Sequence, residues 1–320
     1  MEKVGNNEKK ATCDRRRCLL LLYHSIIFLK CISPNLKILI YGCRYSMIIR
    51  EFYEKEFRRR NVKRFINDTK KYWKYTLYAA KSQLKTEVAN SYLNWIWWVL
   101  EPFCFMLIYA FIFGYMLGRK ELYYNVYIFV GLAIWDFFNR CIKSSVRMVK
   151  RNKSIVSKVY LPKHTLIMSD MMVNAFKMLI CFGLSAGMII YYRVPIGWQA
   201  LYAIPALITM IIFTFGCCCI LLHLGVFIDD MANVINIVLR FVFYLTGIFY
   251  NINIFPEPIY SLVLKGNPLA FMISGFRDSI LYQTVPSRKW LLFWFVISVA
   301  LAAFGVRNIY KNENTYVKVI

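Results

Sequence analysis

Apolar residues along this chain gather into runs bounded by charge, Pro or Asn, and six runs come up to the roughly 20 residues that a helix needs to cross a ~30 Å hydrocarbon core. They are residues 95–117, 122–138, 166–192, 198–227, 231–255 and 290–309. Residues 256–282 are also apolar, but Pro256, Pro258, Gly266, Pro268 and Gly275 interrupt them. Such a broken stretch predicts a re-entrant or interfacial segment rather than an ordinary span.

Basic residues in the connections set the expected orientation. Residues 50–85 carry twelve Lys and Arg, and residues 140–163 carry eight. The first and third connections hold only Arg119 with Lys120, and Arg193. The basic connections belong on the inner side, which places both termini in the cytoplasm and the broken segment outside. Asp229 and Asp230 in the fourth connection weigh little in this rule. Residues 53–85 interleave Lys and Arg with Tyr72, Trp73, Tyr75, Leu77 and Tyr78. That composition predicts an amphipathic helix in the inner headgroup layer, the plain alternative being a solvated basic arm.

The first 46 residues do not fit this layout. Residues 18–29 are apolar for only twelve positions before Lys30, too few to span. They resemble a signal peptide without a clear small-residue cleavage site. A start at Met47 is the other reading. The expected division is a leader over 1–46, a basic interface region over 47–94 and a six-helix membrane domain over 95–320.

Composition agrees with a bilayer protein. Of 320 residues, 59% are apolar, and Lys plus Arg outnumber Asp plus Glu by 41 to 17. A soluble nucleic-acid binder is not this apolar; a basic inner face against anionic lipid accounts for the net charge of +24 without nucleic acid. Disorder, a collagen-like fibre and a small secreted module are excluded. The ten cysteines imply no disulfide framework, and successive Cys217, Cys218 and Cys219 would point ~100° apart on a helix, so they predict no metal site.

Ionisable groups inside spans should face the bundle interior, water or a partner. In the third run Asp170, Asn174 and Lys177 share one stripe, with Lys177 ~16 Å past Leu166. In the fifth, Asn233, Asn236, Arg240 and Tyr244 do the same. Asp136 is a further case, and Glu101 a weaker one. These stripes either border a path for a hydrophilic cargo or knit helices together. The fifth suits a path and the third suits packing. Phe105, Tyr109 and Phe113 repeat at i, i+4 and i+8, a face on which sugar rings stack or which lipid covers.

Catalytic chemistry is sparse. No GxxxxGK[ST] loop occurs, so ATP must be bound by another chain. His24, His164 and His223 are the only histidines, and none has a partner at metal or nucleophile spacing. His223 with Asp229 and Asp230 is the one constellation that would suit a membrane-embedded glycosyl or acyl transferase.

Five stretches, in order over residues 72–320, resemble the ABC-2 type permeases that export O-antigen, capsular polysaccharide or teichoic acid. They are AAKSQLKTEVANSYLNWIWWVLEPF (79–103), FVGLAIWDFF (129–138), NKSIVSKVYLPKHTLIMSD (152–170), YLTGIFYNINIFPEPI (244–259) and NPLAFMISGFRDSIL (267–281). The chain departs from the family at Glu87, at Tyr92-Leu93-Asn94 and at Thr246-Gly247.

The resemblance implies an all-α polytopic protein of the cytoplasmic membrane with six transmembrane helices, an interfacial N-terminal helix and a re-entrant outer segment. It implies a homodimer that carries no cofactor or metal, docks two cytoplasmic ATPase subunits and moves a lipid-linked glycan or polyol-phosphate polymer. ABC-2 permeases for drugs or lipids share this architecture. On that pattern Phe105, Tyr109, Phe113, Asn233, Asn236, Arg240 and Tyr244 line the path. Lys153, Lys158, Tyr160, Leu161, Pro162 and Lys163 couple to the ATPase, with Pro162 fixing the exit into the third span. Pro256, Asn267, Pro268 and Arg277 belong to an outer gate.

Overall fold

Every regular element among the described residues is helical. The computed structural model describes residues 36–89, 94–116, 118, 123–252, 256, 257 and 259–319, with side chains from residue 63 onward except at 94, 259 and 317–319. Residues 1–35, and so most of the expected leader, lie outside the described residues; Pro258 and the loop around Arg119 and Lys120 do too.

The chain divides after Arg59 into two units. Helix α1 (Leu36–Ala89) begins in the first and continues in the second. The rest of the second unit is built from α2 (Asn94–Tyr109, prolonged as a π-helix over Ala110–Met116), α3 (Tyr124–Arg151), α4 (Lys153–Val156) and α5 (Lys163–Tyr191). A 3-10 turn (Trp198–Tyr202) leads into α6 (Ala203–Phe227), followed by α7 (Met231–Leu245), α8 (Ile259–Gly266), α9 (Pro268–Leu281), α10 (Arg288–Lys311) and α11 (Glu313–Val319).

Among the described residues, four stretches are long and apolar enough to cross a membrane: Trp95–Met116, Lys163–Tyr191, Trp198–Phe227 and Arg288–Lys311. They correspond to the first, third, fourth and sixth runs. The second run falls within α3, whose 28 residues include a basic final third and Asp136 within the apolar part. Its apolar stretch is wrapped by protein, since Val126 to Trp135 are buried without a gap. The fifth run forms α7, only 15 residues long. It stops ten residues before the expected end because Gly247, at φ +68°, adopts the left-handed conformation that terminates helices.

Small residues set the closest helix contacts, as they do where apolar surface gives no preference for protein over lipid. A Cβ on Gly225 of α6 would lie 2.1 Å from the Val146 carbonyl oxygen of α3. One on Gly305 of α10 would lie 2.5 Å from the Cys219 Cβ of α6. Cys218 and Cys219, both buried, serve as small hydrophobes at these crossings.

The broken 256–282 segment folds as α8 and α9. Asn267 caps α9, its Oδ1 accepting from the backbone N–H of Leu269 (3.1 Å) and Ala270 (3.4 Å), and Pro268 occupies the first helical position. Most of α9 is buried.

Candidate path, coupling segment and outer clasp

The aromatic face of α2 does not stand alone. Phe105 and Tyr109 are stacked at 6.1 Å, and Tyr109 lies 6.3 Å from Phe113. Phe249, in the turn after α7, joins both, at 4.7 Å from Tyr109 and 5.2 Å from Phe113. Phe243 and Tyr244 of α7 approach Phe249 at 5.0 and 6.0 Å, and Trp135 of α3 reaches Phe243 at 5.2 Å. The result is one continuous aromatic group shared by α2, α3 and α7. Sequence reasoning named Phe105, Tyr109, Phe113 and Tyr244 but missed Phe249, Phe243 and Trp135. The aromatic density of 241–250 was the available signal.

Only Leu239 of α7 is buried. Asn233, Asn236, Arg240 and Tyr244 point outward, Tyr244 with 63% of its surface exposed, alongside Val234, Ile237 and Phe241. Asn233, Asn236 and Arg240 therefore border a surface that the described residues leave uncovered, while Tyr244 also touches the aromatic group through Phe249.

The third-run stripe does the opposite and ties helices together. Ser144 of α3 donates to Asp170 at 2.9 Å, and Arg151 lies 3.6 Å from the same carboxylate. Asn174 donates back to Asp170, at 3.2 Å. Lys177 meets Glu87 of α1 at 2.6 Å and sits 5.2 Å above the Trp98 ring. Arg140 similarly bridges Glu101 of α2 (2.7 Å) and Asp136 (3.9 Å).

Between α3 and α5 the chain makes a short, stiff turn. Lys153 opens α4, and Lys153, Ile155, Lys158, Val159 and Tyr160 are exposed, while Val156, Leu161, Pro162 and Lys163 are buried beneath them. The Pro162 carbonyl accepts from the Thr165 N–H (3.0 Å) and hydroxyl (2.6 Å), which fixes the start of α5. Arg64 of α1 donates to the Tyr160 hydroxyl (2.6 Å) and to Glu313 (2.9 Å). Tyr160 in turn donates to Glu313 at 3.2 Å. Partial burial, then the Glu313 charge, raise the Tyr160 hydroxyl above its ordinary pKa. Arg64 and Glu313 were not legible as partners of this turn, since they stand 96 and 153 residues from Tyr160.

At the end of α3, Lys143, Arg147, Lys150 and Arg151 line a groove of about 530 Å³ closed by Gly225 and Asp229. Lys150 bonds Asp229 and holds that carboxyl below its ordinary pKa. His223 is engaged elsewhere, its Nδ1 lying 2.8 Å from the Tyr316 hydroxyl. The two halves of the imagined transferase site thus have separate partners.

At the opposite end of α3, Arg277 of α9 is 1% exposed. Its Nη1 and Nη2 donate to the carbonyls of Gly247 (3.0 Å) and Ile248 (2.9 Å), and its guanidinium stacks 3.8 Å from the Tyr127 ring centroid. Tyr124 donates to the Phe249 carbonyl (2.7 Å) and Tyr127 to that of Tyr250 (3.1 Å). Four successive carbonyls of the turn after α7 are thereby satisfied by side chains, which a buried non-helical backbone requires. Gly131 leaves the room, as a Cβ there would sit 1.7 Å from Arg277 Nη2. Asn267 adds a 3.5 Å contact to the Leu245 carbonyl, whereas Pro256 is exposed.

Helices of this length and packing define a polytopic membrane protein, and a family model described as "ABC-2 type transporter" matches residues 76–281. The chain belongs to the ABC-2 type transporter family. It is 25% identical over 238 residues to an O-antigen export system permease protein RfbA of Klebsiella pneumoniae, covering 74% of this chain and 91% of that protein. It is 21% identical over 239 residues to the protein of that name from Myxococcus xanthus, covering 74% and 92%. It is 22% identical over 205 residues to the polysialic acid transport protein KpsM of Escherichia coli, covering 62% and 78%.

Proposed function

We propose that the protein is the membrane-spanning permease subunit of a polysaccharide exporter, driven by a separate cytoplasmic ATPase. Its cargo is a lipid-linked glycan or polyol-phosphate polymer such as O-antigen, capsule or teichoic acid. The observation that carries this reading is the turn over 153–163: a stiff projection outside the spans, with exposed Ile155, Val159 and Tyr160 among lysines. Such a surface suits docking, because exposed apolar side chains flanked by charge mark protein contacts. Membership of a transporter family and the names of its relatives support the cargo class.

In this reading the chain crosses the cytoplasmic membrane six times, with α3 and α7 as second and fifth spans and both termini inside. Residues 47–94 form the interface region, with α1 along the inner headgroups. Residues 95–320 form the permease domain, and α8 with α9 re-enter from the outer side. Two copies pair so that α7 of each covers the other's uncovered polar stripe. The path then runs between Asn233, Asn236, Arg240 and Tyr244 and the aromatic group of Phe105, Tyr109 and Phe113, on which sugar rings stack. Lys153, Lys158, Tyr160, Leu161, Pro162 and Lys163 receive the ATPase's movement. Pro256, Asn267, Pro268 and Arg277 control the outer end.

Co-expression with the ATPase from the neighbouring gene tests the reading. A complex of two permeases and two ATPases, and polymer trapped inside cells that lack the permease, are expected. A monomer that stimulates no ATPase overturns it. Normal surface glycan in cells lacking the permease points instead to a drug or lipid permease.

A further inference from the structure

Resting on the ATPase-driven reading above, we infer that Glu313 is a positioning residue for coupling: it seats the 153–163 turn between α1 and the end of α10. Its carboxylate is 7% exposed and gathers three cations or hydroxyls from distant parts of the chain. Arg64 lies at 2.9 Å, Tyr160 at 3.2 Å and the Lys163 ammonium at 3.9 Å. A buried carboxylate is stable only with such partners, and losing it leaves them stranded.

The backbone aims Glu313 inward. α10 ends at Lys311, Asn312 turns the chain at φ −107°, and α11 begins at Glu313. One turn later Tyr316, fully buried, packs on Phe227 and His223 at the end of α6, so α11 is anchored independently of the carboxylate. On the α1 side Arg64 also stacks 4.4 Å from the Tyr310 ring centroid, and Asp68 accepts from the Tyr310 hydroxyl at 2.8 Å. A push on exposed Tyr160 therefore reaches α1 through Arg64 and the last span through Glu313, besides travelling up α5. Without Glu313 the turn keeps its buried underside and the Arg64–Tyr160 bond but loses its tie to the end of α10, and force on it no longer reaches that end directly.

The test uses the full chain with its ATPase. ATP hydrolysis is measured on the complex in phosphatidylethanolamine–phosphatidylglycerol vesicles. Export is measured as periodate-reactive glycan on intact against lysed cells holding the variant as sole copy. For Glu313→Ala, ATP hydrolysis stays within about twofold while export falls roughly tenfold, equivalent to ~1.4 kcal/mol of lost coupling. Glu313→Gln, whose amide oxygen still accepts from Arg64 and Tyr160, keeps an intermediate value. Because the two side chains act as a unit, Arg64→Ala with Glu313→Ala is no worse than Glu313→Ala alone. Should Glu313→Ala fail to assemble on gel filtration, Glu313→Gln and Tyr160→Phe carry the test, each with a reduced export-to-hydrolysis ratio. Wild-type ratios in the assembled variants, or losses that multiply in the double variant, overturn the inference. A wild-type complex that neither hydrolyses ATP nor exports overturns the underlying reading as well.

Discussion

Helices α3 and α7 are the two runs that do not qualify as plain membrane crossings, α3 being long but rich in charge and α7 apolar but only 15 residues long. α3 is lodged among its neighbours: its apolar residues face protein, and its polar ones reach partners on α2, α5 and α9 or in the turns after α6 and α7. α7 buries a single side chain and turns Asn233, Asn236 and Arg240 to the outside. A charged or polar residue on the first is structural, whereas on the second it lies on a surface that the described residues leave uncovered. The difference teaches that a charge in an apolar helix is either met from within the chain or left at its surface, and that burial decides which.

That contrast is sharpest at Gly131. Gly131→Ala forces the Arg277 guanidinium off two carbonyls, and a loss of about 3–5 kcal/mol is expected, as when a buried charge is stranded. It would be read as collapse of the detergent-extracted yield and Tm; an unchanged Tm would break the account of α3. Arg277→Met removes the charge and leaves the Ile248 carbonyl without its donor, at about 1–3 kcal/mol, while the Gly247 carbonyl keeps a 3.4 Å contact with the Tyr127 hydroxyl. Its Tm should fall less than that of Gly131→Ala, because no atoms collide.

On α7 the expected effects move from stability to transport. Arg240→Ala should leave Tm as it is and lower export by roughly tenfold, about 1.4 kcal/mol. A fall in Tm with no change in export would make α7 a packing helix like α5. Tyr109→Leu, which keeps the bulk but removes the aromatic face, should reduce export by about twofold to tenfold, the worth of one aromatic contact.

The smallest effect belongs to Asp229→Asn. The Asp229 carboxyl is fully exposed and Lys150 lowers its pKa. Any contribution is present above the ordinary carboxylate range and lost as pH falls through it. Thermal melts from neutral pH downward should therefore superimpose on those of the wild type, since an exposed pair adds little.

Spans were legible where lipid is the solvent, because runs of about 20 apolar residues have one economical outcome there. The third-run stripe was legible as packing because a charge flanked by i+4 and i+7 polar groups needs partners on neighbouring helices. The end of α7 was not legible: residues 246–255 are as apolar as the helix before them, and the left-handed Gly247 stops it only in concert with Tyr124, Tyr127 and Arg277. Arg277 was singled out only through the resemblance of residues 267–281 to the family, and the need for Gly131 opposite it lay 146 positions away and carried no local mark.

By itself, then, the order of residues determined a helical membrane protein, its basic connections and its family, since hydrophobic length and charge act locally and sum along the chain. Tertiary structure alone decided that α3 is enclosed and α7 uncovered, that Arg277 clasps a turn, and that Glu313 meets Arg64 and Tyr160. Those outcomes depend on which distant groups share a small, water-poor space, where each donor, acceptor and charge must find a partner.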